Sequence, residues 1–265
     1  MNILMRMWWV RLNKLIKRKK YTIDEVCILA GQIMLESGAE TYRVEDTMSR
    51  IAKSYGVEYV ESYVTPTAIV FTVDDDLITN TKMKRINKRG TDLNKIAVVN
   101  HLSREISEGK WSLQEAYHKL IEVHRSTFVY SVWLQILAAA IVSGCFVIMF
   151  QGQWFDFLPA VVTGGFAYFC FLIIDRIVQV RFFSEFITAA IIGLISHLLV
   201  YYGFGMEIDK IIIGSVMPLV PGLLITNAIR DLISGHLVSG LTKGAEALLT
   251  AMAIGSGIAI IIGLI

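Results

Sequence analysis

The chain has 265 residues, 54% of them hydrophobic and only 18% charged, with a mean hydropathy of +0.56; this balance excludes an ordinary water-soluble protein. A formal charge of +2 is too small to mark a nucleic-acid binder, so no nucleic-acid partner is expected. Charge is also unevenly placed: 20 of the 25 Lys and Arg and 16 of the 23 Asp and Glu precede residue 129, so a polar region joins an apolar one near residue 128.

Residues 1–21 form a basic amphipathic segment. Met7, Trp8 and Trp9 can embed in a membrane surface while Arg11, Lys14, Lys17, Arg18, Lys19 and Lys20 meet anionic lipid headgroups. A frayed soluble tail is the alternative. The apolar stretch is short, its positive charge follows it, and no small-residue cleavage site is present, which argues against a cleaved signal peptide.

Residues 22–128 read as an α+β domain. Thr22 and Glu25 have the spacing of a capping box, and Val26, Leu29 and Ile33 continue it as a helix. Ser37 and Glu40 repeat the signal and predict a second helix running to Tyr55, which Gly56 ends. VEYVESYVTP and TAIVFTV read as strands rich in β-branched and aromatic residues, with a third strand near 77–86. Asp74, Asp75 and Asp76 mark a solvated turn, with a weak cation site as the alternative. A helix over 92–107 follows, and Ser112 with Glu115 caps another.

From residue 129 onward, long apolar runs predict five transmembrane helices at about 129–150, 157–174, 182–202, 211–229 and 245–265. The fold class is thus an α-helical polytopic membrane protein, with domain 129–265 in the membrane and an N-terminal α+β cytoplasmic domain. Arg176, Arg181, Arg230 and Lys243 flank the spans on one side and only Lys210 on the other. Basic flanks stay in the cytoplasm, which places the N-terminal domain inside and the C-terminus outside. Trp154, Tyr201 and Tyr202 suit an outer aromatic belt. Cys27, Cys145 and Cys170 have no close spacing, so neither a disulfide framework nor a zinc site is expected.

The densest polar cluster is ESGAETYRVEDTM, residues 36–48. On a helix, Glu36, Glu40 and Arg43 share one face, either as a solvated ion-pair surface or as a functional one. SGAETYRVEDTM, PTAIVFTV, DLNKIAVVNHLSREI and MPLVPGLLITNAIRDLISGHLVSGLTKGAEALL together resemble the threonine/serine exporter family, over nearly the whole chain from residue 22. The resemblance implies export of threonine and serine or of dicarboxylates such as succinate. It also implies a partner: a separately encoded short membrane subunit. It marks Glu36, Ser37, Gly38, Glu40, Tyr42, Arg43 and Glu45 as a cytoplasmic motif.

Candidate transport residues cluster late in the chain. Pro218 and Pro221-Gly222 interrupt the fourth span and predict a discontinuous helix, whose exposed N–H groups suit a substrate carboxylate; a simple packing kink is the alternative. Thr226, Asn227 and Arg230 fall within one further turn, with Asp231 beside them. Glu185, His197 and Glu246 are ionisable groups at membrane depth, a costly placement that points to substrate binding or ion coupling. For His197 a neutral imidazole bonded between helices is the competing reading. Ala247, Ala251, Gly255, Ala259 and Gly263 form a small-residue stripe that predicts close helix packing, within the chain or against a partner.

No cofactor or metal is expected, and the absence of a GxxxxGK[ST] sequence argues for a secondary transporter. An odd span count prevents an internal inverted repeat, so a partner subunit or homo-oligomer is expected. Two alternatives stay open: a membrane-tethered hydrolase using Glu36, Glu40 and His101, and a ligand-sensing domain anchored by the spans.

Overall fold

A computed structural model describes residues 21–75, 78–126 and 130–264. The expected N-terminal amphipathic segment lies outside them, as does Asp76. The chain divides into two compact units, the first containing the residues up to 126 together with Arg230–Ser239, the second containing 130–229 and the residues from Gly240 onward.

The first unit begins with α1 (Ile23–Glu36), opened by the Thr22–Glu25 capping box. Most of its circumference is apolar, and Val26, Cys27, Ala30, Ile33 and Met34 are buried, so it forms the centre of the unit's core. α2 (Thr41–Ser54) is amphipathic and buries Val44, Met48 and Ile51 against it. A three-stranded antiparallel meander follows: β1 (Tyr59–Thr65), β2 (Ala68–Asp75) and β3 (Ile78–Arg85), with Thr65 opposite Ala68 and Ala68 opposite Arg85. The alternation of the strands turns Val64, Ile69 and Phe71 into the core and leaves Tyr59, Tyr63 and Met83 outward. α3 (Leu93–Ser107) and α4 (Leu113–Arg125) close the unit, the latter opened by the Ser112–Glu115 capping box.

Ser37 does not start a helix. It is the C-cap of α1, and Gly38 takes a left-handed φ of 87° that a side chain would strain. The Ala39 N–H reaches Met34 O at 3.0 Å and the Gly38 N–H reaches Leu35 O at 3.2 Å, the paired bonds of a Schellman stop. The S-x-x-E spacing therefore misleads here, and Glu40, the N-cap of α2, is left available for other partners.

The second unit holds α5 (Val132–Met149), α6 (Trp154–Val178), α7 (Arg181–Tyr201), α8 (Ile208–Val216), a 3-10 turn (Met217–Leu219), the start of α9 (Gly222–Ile233) and most of α10 (Leu237–Leu264). Among the described residues, four helices are long and apolar enough to cross a membrane, α5, α6, α7 and α10. The pair formed by α8 with its 3-10 turn and α9 passes the same test together but bends by 62° at its break. Pro218 and Pro221 stand at that break, where neither can donate the backbone bond a continuous helix needs. Small residues bring the helices together: Gly164 lies against Ser143, Gly165 against Ala140, and Gly214 against Val147 and the Ser143 carbonyl. The exterior is apolar, with Trp133, Leu158, Phe183, Leu241 and Met252 all exposed.

The small-residue face of α10 that packs within the chain is not the predicted one. Gly257 abuts the Phe186 carbonyl and Ala189, whereas Gly255 and Gly263 have nothing near them.

Candidate functional site: residues 230–239 on the N-terminal motif

Four side-chain contacts fix Arg230–Ser239 within the first unit. At the start of α2, the Thr41 N–H donates to Asp231 Oδ1 at 2.9 Å, and the Thr41 hydroxyl donates to Asp231 Oδ2 at 2.9 Å. Asp231 therefore caps a helix from 190 residues away, and its charge faces the positive end of the helix dipole. Both residues are fully buried.

Glu40 lies between two cations. Arg230 Nη1 donates to its Oε1 at 2.5 Å and Arg43 Nε approaches its Oε2 at 3.3 Å. Burial pushes the Glu40 carboxyl upward, but a backbone N–H, the Arg230 bond and the charges of Arg43 and Arg230 outweigh it and hold it below its ordinary value. Glu45 continues the row one turn along α2. Its Oε1 accepts the Val64 N–H at 2.9 Å, and His236 Nε2 stands 3.7 Å from its Oε2. Here burial wins, aided by the charge of Asp231, and Glu45 sits above its ordinary value despite Val64 and His236. The Ser239 hydroxyl donates to the Val64 carbonyl at 3.2 Å. Glu45 and Ser239 together occupy the outer edge of β1, which would otherwise expose unpaired backbone.

The two carboxylates give opposite pH dependence. Glu40, being depressed, contributes stability that is full above its ordinary value of 4.5 and is lost as pH falls through its lower native value. Glu45, being raised, contributes in the reverse direction, its stabilisation present in acid and lost as pH rises through its native value. Acidification through its native value is therefore expected to weaken the Glu40–Arg230 pair, seen as faster amide exchange across residues 41–44 in wild type than in Glu40→Gln relative to neutral pH; the same acid response in both would remove Glu40 from the contact.

The other predicted residues are dispersed. Ser37 and Gly38 terminate α1, and Glu36 accepts from Gln32 at 2.7 Å with His124 at 3.8 Å. Tyr42 is half-buried on α2. His101 is exposed beside Glu105 at 3.7 Å, so Glu36, Glu40 and His101 each have a different partner. In the second unit, Pro218 is half-buried and Pro221 buried, Gly222 begins α9, and the Thr226 hydroxyl donates to the Gly222 carbonyl at 2.9 Å. Asn227 and Glu246 are half-buried and each interacts with other groups. His197 lies beside the Tyr201 ring at 6.2 Å, and Glu185 is buried with Arg181 at 2.9 Å. Among the described residues no group of three His, Cys, Asp or Glu is placed to hold a metal ion.

Sequence reasoning did not select Thr41, Val64, His236 or Ser239, although three of them lie inside the motifs that carried the resemblance. What joins those motifs is the contact of 37–48 with 230–239 inside the first unit, at Thr41–Asp231 and Glu40–Arg230.

Residues 25–265 match the family ThrE, described as "Putative threonine/serine exporter". The chain belongs to this family. Its members are exporters rather than enzymes, and the apolar helices of this one are those of an integral membrane protein. Among its relatives is the "Probable succinate transporter subunit YjjP" of Klebsiella aerogenes, 25% identical over 241 residues, covering 89% of this chain and 92% of that one. The protein of the same name from Escherichia coli is 26% identical over 239 residues, covering 87% and 90%. The "Probable threonine/serine exporter" of Mycobacterium tuberculosis is 24% identical over 238 residues, 89% of this chain but 45% of that one. The chain thus spans nearly all of the succinate-transporter subunits and about half of the exporter. No solved structure matches it.

Proposed function

We propose that this ThrE protein is the larger subunit of a two-part secondary transporter that exports small carboxylate-bearing metabolites, threonine and serine or dicarboxylates such as succinate, across the cytoplasmic membrane. The broken span carries this reading. A helix interrupted at Pro218–Gly222 begins anew at α9 within the span, and the positive end of α9 suits a substrate carboxylate. Thr226 and Asn227, on the first turns of α9, are proposed as further substrate groups. Arg230 and Asp231, engaged by Glu40 and Thr41, act by positioning α9.

Coverage of about half of the mycobacterial exporter supports a second, separately encoded membrane subunit as partner. Five crossings are supported by parity. Three helices, α5 to α7, separate the first unit from the break, yet residues 230–239 pack inside the first unit, which supports α8 and α9 as one further crossing. The contact of Gly257 with Phe186 and Ala189, and of Gly193 with Ile258 and Ile261, makes α7 and α10 parallel, as the third and fifth spans of such a chain are. The basic flanks support an N-terminal unit in the cytoplasm and a C-terminus outside.

The test is efflux of labelled threonine, serine and succinate from proteoliposomes containing this chain with and without a short membrane subunit of the same family. Efflux of one substrate only with both subunits is expected. Silence from correctly inserted, paired protein would overturn the proposal.

A further inference from the structure

On α7, Glu185 is 1% exposed. Its Oε1 accepts from Arg181 Nε at 2.9 Å, while its Oε2 is buried with no hydrogen-bond partner. A carboxylate oxygen left without a partner inside a span is costly and calls for an explanation.

The helix register locates it. Ala189, one turn after Glu185, touches Gly257 of α10, and Gly193, one turn further, meets Ile258 and Ile261. Glu185 therefore lies on the α7 face that meets α10. Thr250 of α10 lies two turns before Gly257, about one turn from the level of Glu185 in the parallel register, and its hydroxyl is also buried without a partner. Two unsatisfied polar atoms thus share the α7–α10 seam, at a place sealed from solvent.

We propose that Glu185 is the ion-carrying group of the exporter and that its ion is a proton. This rests on the exporter reading above. The occupant follows from size and ligands. A substrate ammonium needs open volume, which an oxygen with no exposed surface does not offer, and a metal cation needs several converging oxygens. A proton needs neither. In the charged state the carboxylate is paired with Arg181. Protonation adds one H⁺ to the carboxylate, converts Oε2 into a donor, and releases Arg181, whose side chain is 54% exposed, to solvent. The other charged groups on packed helices are Asp175 and Arg176 at the end of α6, Asp156 at its far, opposite end, where it accepts from the Met206 and Glu207 N–H groups, Lys243 and Glu246 on α10, and Asp209 and Lys210 at the far end of α8. Lys243 and Glu246 have interactions of their own, and Arg181 is the cation bonded to Glu185.

The experiment uses the paired subunits in proteoliposomes and compares wild type with Glu185→Gln in two modes, equilibrium exchange of labelled substrate and uphill efflux driven by a pH gradient. Glutamine keeps the shape and a hydrogen-bonding end but cannot carry the proton, so exchange is expected within about threefold of wild type, with gradient-driven efflux and its pH dependence lost. Glu185→Asp, which keeps the titrating group, is expected to restore part of the driven efflux. Gradient-driven efflux surviving in Glu185→Gln would overturn the assignment; so would loss of exchange together with drive, which a merely structural role would produce. A second readout needs no flux. A hydrophobic carbodiimide reacts with protonated carboxyls in apolar surroundings, so Glu185 is expected to be modified in acid and protected as pH rises, read by peptide mass. No modification at any pH would overturn the proton site. If wild type shows no exchange of any substrate, the exporter reading fails instead, while the carbodiimide result still decides Glu185.

Discussion

Asp231→Ala is expected to weaken the first unit more than Arg230→Ala, although Arg230 makes the shorter contact. Removing the Asp231 carboxylate takes away the cap of α2, about 1 kcal/mol. It also strands the buried Thr41 hydroxyl, at about 1–3 kcal/mol for an unmet donor. The sum is roughly 2–4 kcal/mol. Arg230→Ala removes a half-exposed guanidinium and leaves Glu40 with Arg43, so screening limits the loss to about 1 kcal/mol. Asp231→Asn should fall between them, since the amide oxygen keeps one acceptor but the charge opposite the helix dipole is gone. Thermal unfolding of the purified protein and amide exchange at Thr41 measure all three. Equal stability of Asp231→Ala and wild type, with Thr41 still protected, would mean that Asp231 does not cap α2. Because α9 continues from the break at Gly222 to Ile233, loosening Asp231 should also reduce substrate efflux without removing protein from the membrane.

How far the sequence discloses this arrangement depends on the range of the interactions. Thr22–Glu25 and Ser112–Glu115 are legible because a capping box is satisfied within four residues, and both form. The long apolar helices are legible because hydropathy integrates over a whole span, and the break at Pro218–Gly222 because proline acts on its own helix. Ser37–Glu40 has the same local signature and fails, since Gly38 offers a left-handed stop that competes for the same residues. The real cap of α2 comes from Asp231, and no pattern within 190 residues announces it. Glu40 and Arg43 were visible as a charged face, but the face was incomplete without Arg230. Periodicity likewise picked a line on α10 whose glycines meet no helix of this chain. Ala251, Gly255 and Ala259 repeat at four-residue intervals yet are exposed, and the buried line runs through Lys243, Ala247, Thr250, Ile254 and Gly257. Two small-residue lines on one helix are indistinguishable until a neighbour selects one.

That selection makes the pair Gly257→Leu and Gly255→Leu decisive. A Cβ at Gly257 would sit inside the van der Waals envelope of the Phe186 carbonyl and 3.1 Å from the Ala189 Cβ. Backbone cannot rotate away as a side chain can, so α10 must separate from α7. Overpacking of this kind costs about 1–3 kcal/mol and more where backbone is struck, and parting the helices would also uncover the buried Glu185 and Thr250. Gly257→Leu is therefore expected to give aggregated or monodisperse-poor protein on detergent size exclusion, even without a partner. Gly255 has nothing within contact range in this chain, so Gly255→Leu should leave the isolated subunit's elution and thermal stability unchanged. Its effect should show only when the short subunit is co-expressed, as a loss of co-purification, if that stripe receives a partner helix. Normal behaviour of Gly257→Leu would refute the parallel α7–α10 packing, whereas unchanged co-purification of Gly255→Leu would refute only the use of the outer stripe.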